Sequence, residues 1–192
     1  MSPRTKKQFE DIREEKRSLI MSVALELFSR EGFHSASISK IASRAGISKG
    51  LMYNYFDSKE DLIREIIGEG LDRLFVMLDP NKDGIVTRAE MEDFIEKMFD
   101  VMKSNTQYWT LYFSLMLQRP VFSLVHDKIE KIYSNYIPML SKYFETLGHE
   151  DPLTDAFIFG GLLDGIAFSF IANPEEYPYE KVKRRLIQLY CS

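Results

Sequence analysis

Apolar residues along this chain recur at every third or fourth position. In 18–33, Ile20, Val23, Ala24, Leu27 and Phe28 fall at i, i+3, i+4, i+7 and i+8, which gathers them on one stripe of an α-helix. Gly32 ends that helix. Shorter segments follow at Ser37–Ala45 and Ser48–Tyr55, separated by a turn at Gly46. Ser58-Lys59-Glu60-Asp61 has the form of a capping box and opens a longer helix through Leu62, Ile63, Ile66, Ile67, Leu71, Leu74 and Phe75. After a polar stretch at 79–90, helical spacing resumes with Met91, Phe94, Ile95, Met98 and Val101. Further helices are predicted over 106–118, 121–147, 153–172 and 178–190. Their boundaries are marked by Pro120, Gly148, Asp151-Pro152 and Asn173-Pro174, and Pro138 is expected to kink or split the second of them. There is no convincing alternating strand, internal repeat or low-complexity tract. The expectation is an all-α chain of about nine helices. It divides into a three-helix domain at 1–57 and a helical bundle at 58–192.

Charge sharpens that division. Residues 1–59 hold eleven Lys/Arg and seven Asp/Glu, a net of +4, whereas 60–192 hold fourteen and twenty-two, a net of −8. A basic first third on an acidic protein points to a polyanion met by that third alone. Within it, Ile38, Ile41, Ala42 and Ala45 line one side of a short helix. Gly46 allows the left-handed residue of a sharp turn, Ile47 fills the corner, and Ser48 caps a second helix that carries Met52 and Phe56 inward. Two short helices about such a turn make a helix-turn-helix, whose second helix can lie in the major groove of DNA. Gly50, near the start of that helix, would let its backbone approach DNA closely. Arg4, Lys6 and Lys7 read either as a minor-groove arm or as a plain basic tail.

These residues resemble the tetracycline-repressor (TetR) family of one-component regulators. Gly32, Ser37, Ile41, Ala42, Ala45, Gly46, Ser48, Gly50, Tyr53, Phe56, Lys59, Glu60 and Leu62 fall on that family's DNA-binding pattern. Ala36 stands where the pattern has a threonine, Ile47 for valine, Met52 for leucine and Tyr55 for histidine. The resemblance implies that Ser37, Tyr53, Tyr55 and Lys59 hold phosphates. Lys49, Gly50, Leu51 and Asn54 then face the groove, with Asn54 able to read an adenine edge. It also implies a homodimer on a palindromic double-stranded operator, built from the last two long helices, and a small-molecule effector of unknown identity that releases a repressor from DNA.

The remainder of the chain agrees locally. Gly160, Gly161 and Gly165 are costly inside a helix and suggest close packing across an interface, with Ile166 and Phe170 supplying apolar surface. Trp109, Tyr112, Phe113, Met116, Tyr133 and Tyr136 combine apolar rings with a few hydroxyls, which suits an effector pocket and equally a plain aromatic core. The stretch 156–174 is barely long enough to span a membrane and carries Asp164 at its middle, so it reads as a buried helix. With a charged N-terminus and one cysteine, Cys191, the expectation is a cytoplasmic protein with no membrane partner. Three scattered histidines, no G-x-S-x-G and no phosphate loop leave no catalytic reading.

One motif stands apart. In 79–90, DPNKDGIVTRAE, the residues Asp79, Asn81, Asp83, Ile85, Thr87 and Glu90 occupy the ligand positions 1, 3, 5, 7, 9 and 12 of a calcium-binding EF-hand loop, with Gly84 at position 6 and Val86 at the apolar position 8. The alternatives are a Ca²⁺ site or an inter-helix turn spelt in turn-forming residues. EF-hands ordinarily pair, and the sequence has no second such loop. A second reading of the whole chain is therefore a calcium-responsive helical interaction protein.

Overall fold

Helix α1, Lys6–Glu31, turns only its second half inward, where Ile20, Met21, Ala24, Leu25, Leu27 and Phe28 are buried. The computed structural model describes residues 6–191, so Arg4 of the suggested arm lies outside them, while Lys6 and Lys7 form the exposed start of α1. Along the chain follow α2 (Ile38–Arg44), α3 (Lys49–Met52), α4 (Lys59–Leu78), α5 (Arg88–Ser104), α6 (Thr106–Met116), α7 (Arg119–Thr146), α8 (Pro152–Ala172) and α9 (Tyr179–Tyr190), with no strand among the described residues. The all-α expectation holds.

The chain forms two compact units: one comprises residues up to Gly68 together with Leu111–Val125, the other Glu69–Thr110 together with 126 onward. The first unit is built on α1. Ile20, Ala24, Leu27 and Phe28 of α1 are buried, as are Ile41, Met52, Phe56, Leu62, Ile63 and Ile67, and α1 packs against α2 and α2 against α3. The segment 111–125 is pinned to the end of α1 by Gln118, whose Oε1 accepts from the Phe33 N–H and whose Nε2 donates to the Phe28 carbonyl, both at 2.9 Å. Tyr112 donates its buried hydroxyl to the Ile67 carbonyl at 2.9 Å, and Arg64 donates to that of Leu124 at 3.2 Å. In the second unit α5 packs against α9, and Phe99, Tyr143, Phe144 and Phe159 are among its fully buried rings.

Two local expectations fail for physical reasons. Pro138 does not split α7, which continues through it with Ile137, Leu140, Tyr143 and Phe144 on its buried face to offset the missing N–H. α8 is not a buried helix. Ala156, Phe159, Ile166, Ala167 and Phe170 face inward, but Leu153, Phe157, Ile158, Leu162 and Phe168 are exposed, so only 28% of its most apolar window is covered. By length and composition alone α8 is apolar enough to cross a membrane.

Candidate nucleic-acid interface

The turn chemistry read from the sequence closes locally as the pattern requires. Ser37 caps α2, its hydroxyl accepting from the Lys40 N–H at 3.2 Å, and Ser48 caps α3 by accepting from the Leu51 N–H at 3.1 Å. Between them Gly46 adopts φ +66°, a left-handed conformation that a side chain would strain, and the Ile47 N–H returns to the Ala42 carbonyl at 3.0 Å. α3 is only four residues long, shorter than the Ser48–Tyr55 segment expected, since the chain passes into a turn at Tyr53.

Ser37, Lys49, Gly50, Leu51, Tyr53 and Asn54 are all exposed, and Lys49, Gly50, Leu51, Tyr53 and Asn54 follow one another closely along α3 and the turn after it. Leu51 and Tyr53 are large apolar side chains left 39% and 46% exposed, a cost to a free monomer that a partner surface removes. At Gly50 an added Cβ would meet only the Ser48 hydroxyl, 4.0 Å away, so nothing inside the chain demands a glycine there. Tyr55 is half-buried beneath Arg13, whose guanidinium lies 5.9 Å from its ring centroid and donates to the Asn54 carbonyl at 3.4 Å. Arg13 had no sequence signal, because only the fold brings α1 beside the end of α3. Lys59 is half-buried, and its ammonium is occupied within the protein: it donates to the carbonyls of Phe33, Ala36 and His34.

The loop at 79–90 folds tightly around Asp79, which is buried. Its two oxygens accept from the Asp83 and Gly84 N–H groups at 3.2 and 3.1 Å, while Gly84 takes φ +76° and Lys82 φ +60°. Asp83 accepts from the Ile85 N–H at 2.8 Å. Ile85 is itself exposed and Val86 buried. Thr87 caps α5, and Glu90 completes a capping box there: one oxygen accepts from the Thr87 N–H and hydroxyl, the other from the Asn81 amide at 3.1 Å. As a set, the carboxylates of Asp79, Asp83 and Glu90 do not come within 4.8 Å of one another. His126, Asp127 and Glu130 do, on an exposed turn of α7, as surface acidic groups often gather without an ion.

The proposed pocket residues divide between the two units. Tyr112, Phe113 and Met116 belong to the first, where Tyr112 is fully engaged by the Ile67 carbonyl. Trp109, Tyr133 and Tyr136 belong to the second. There Trp109 is buried and donates its indole N–H to the Val101 carbonyl at 3.2 Å, Tyr136 stacks on Phe75, and Tyr133 is exposed. Burial, helped by Asp72 and Asp79, raises the Tyr136 hydroxyl above its usual pKa. On α8, Ile166 and Phe170 serve the chain's own core, Phe170 meeting the Tyr179 ring at 4.9 Å. Gly160, Gly161 and Gly165 have open space where a Cβ would stand, so within the chain no neighbour approaches them closely.

Residues 20–66 match the family model described as "Bacterial regulatory proteins, tetR family". The chain is 22% identical to the fatty acid metabolism regulator protein of Bacillus subtilis (strain 168) over 182 residues, 90% of this chain and 92% of that one. It is 31% identical to the HTH-type transcriptional regulator RutR of Escherichia coli (strain K12) over 102 residues, 53% of this chain and 48% of RutR. The crystal structure of the transcriptional regulator FadR from Bacillus subtilis in complex with stearoyl-CoA superposes with a TM-score of 0.70 at 22% identity, covering 91% of this chain and 97% of FadR. That likeness is one of fold. These relatives are regulators rather than enzymes, in keeping with a sequence that carries no catalytic motif. Residues 20–66 thus carry the match to the tetR-family DNA-binding model, and the all-helical chain around them shares its fold and most of its length with the regulators it resembles.

Proposed function

We propose that the chain is a cytoplasmic repressor that binds a palindromic double-stranded DNA operator as a homodimer and leaves it when an apolar small molecule binds. The observation that carries the reading is Gly50, a glycine on an exposed helix start where the fold has room for a side chain. A missing side chain that the protein itself does not need is explained by a surface that comes close from outside. Lys49, Leu51, Tyr53 and Asn54 share that neighbourhood and supply charge, apolar contact and hydrogen bonding to it. Gly50→Ala is the test. Helix propensity should leave the fold unchanged or stabilise it by about 0.5–1 kcal/mol, while affinity for a site selected from random DNA falls. A stable variant with undiminished operator affinity would remove DNA from this face.

For the effector, the likeness to a fatty acid metabolism regulator and to a structure holding stearoyl-CoA favours a ligand with a long apolar chain, such as an acyl-CoA. Trp109 has its indole hydrogen committed to the Val101 carbonyl, so it would offer such a ligand its ring alone.

The second element of the reading is a calcium site at 79–90. Six ligand positions, a left-handed Gly84 and helices on both sides support it. To bind, Glu90 must give up the Thr87 and Asn81 contacts, and Asn81 must turn its carbonyl oxygen inward. That rearrangement and the lack of a paired loop place the affinity toward the weak end, about 10⁻⁵ to 10⁻³ M. Titration calorimetry with Ca²⁺ should give heat with the wild type and none with Glu90→Gln. Binding should raise the melting temperature by mass action. Equal, negligible heats in both would reduce the loop to a capped turn.

A further inference from the structure

We propose that Lys59 is a positioning residue for DNA recognition, holding the turn ahead of α2 from inside the protein instead of touching a phosphate. The proposal rests on the DNA-binding reading above. Lys59 is the first residue of α4. Its Nζ donates to the carbonyls of Phe33 at 2.8 Å, Ala36 at 3.2 Å and His34 at 3.4 Å, and stands 4.4 Å from the centroid of the Phe33 ring. An ammonium has three protons to give. Three carbonyls take them, and the aromatic face receives the charge, which leaves no donor for a phosphate oxygen.

The grip falls on the backbone that enters the helix-turn-helix. Gly32, at φ +85°, turns the chain out of α1, and Ser37 caps α2 one residue after the last of the three carbonyls. Phe33, between them, is buried against Phe28 with ring centroids 5.3 Å apart. Lys59 therefore ties the first turn of α4 to a segment 23 to 26 residues earlier and fixes the entry of α2. Without the ammonium, carbonyls of a partly buried turn lose their donor. The turn then relaxes, and α3 with it.

Arginine separates the two roles. A phosphate contact survives Lys→Arg, since the charge and donors remain. A clamp whose acceptors converge on one point does not, because a guanidinium is a planar fork. The full chain would be compared as wild type, Lys59→Arg, Lys59→Met and Lys49→Ala, on a site selected from random DNA, over about 50–200 mM salt. Both Lys59 variants should bind about tenfold or more weakly, the effect of carbonyls left without a donor. Their dependence of affinity on salt should match the wild type, whereas that of Lys49→Ala should fall. Without DNA, the amide resonances of Ser35, Ala36 and Ser37 should shift in both Lys59 variants. The proposal is overturned if Lys59→Arg binds as the wild type does, or if Lys59→Met loses about 0.9 of the logarithmic salt slope per contact. Unshifted amides overturn it too, and they judge the clamp even if the wild type selects no DNA sequence, an outcome that would sink the DNA reading instead. Should Lys59→Met fail to fold, the arginine variant decides.

Discussion

Phe157→Arg combined with Phe168→Arg should yield a well-folded monomer that no longer holds operator DNA. Both side chains lie on the outer side of α8, 51% and 55% exposed in the single chain, so charges placed there disturb little of its own core. They stand in one apolar tract with Leu153, Ile158 and Leu162, over glycines that leave room for a second backbone to come near. Two copies meeting about a two-fold axis would cover that surface and hold two reading helices one turn of DNA apart. Guanidinium groups buried in such an interface without partners cost several kcal/mol each. Sedimentation should show the wild type as a dimer and the variant as a monomer of undiminished melting temperature, with specific DNA binding lost. A variant that remains dimeric would move the interface off α8.

Phe28→Ala should lower the stability of the first unit by about 3–5 kcal/mol, a large share of the roughly 5–15 kcal/mol that holds a typical domain together. The Phe28 ring is fully buried and lies against Phe33, the residue whose carbonyl Lys59 grips. Its own carbonyl accepts from Gln118 and Gly32, contacts that truncation of the side chain leaves in place. The loss is therefore one of packing, felt where α1, α2 and α4 converge. Denaturant titration measures it directly, and a change under 1 kcal/mol would mean that the core repacks around the void.

Which features the sequence disclosed follows from how local their causes are. The Ser48 cap and the left-handed Gly46 depend on partners within five residues, and the residue pattern spells them out; the Ser37 cap and the Thr87–Glu90 box are as local, yet those residues drew attention for phosphate and metal roles instead. Lys59 was legible as a basic residue beside the reading helix. Its bonds to Phe33 and Ala36 cross more than twenty positions of chain, so they were not. Gln118 and Arg13 gave no signal for the same reason. On α8 periodicity failed differently. Apolar residues lie on both its sides, so the pattern cannot say that Ile166 and Phe170 face inward while Phe157 and Phe168 face out. The aromatic residues at 109–136 were legible as a group by composition, yet the fold distributes them over two units.

Asp164 sits near the middle of α8, open to solvent yet set among apolar side chains whose desolvation raises its carboxyl above the usual pKa. A newly made chain offers its apolar stretches to the membrane-insertion machinery before any partner has covered them, and α8 has the length and hydropathy to qualify. One aspartate at the centre of such a helix costs about 2.5–3.5 kcal/mol on insertion, cancelling the contribution of about four to twelve residues such as Leu or Phe. A single carboxylate thus weighs against insertion of a sticky helix. On the homodimer reading it would keep the segment in water until a second copy covers it, at the expense of a somewhat less apolar face.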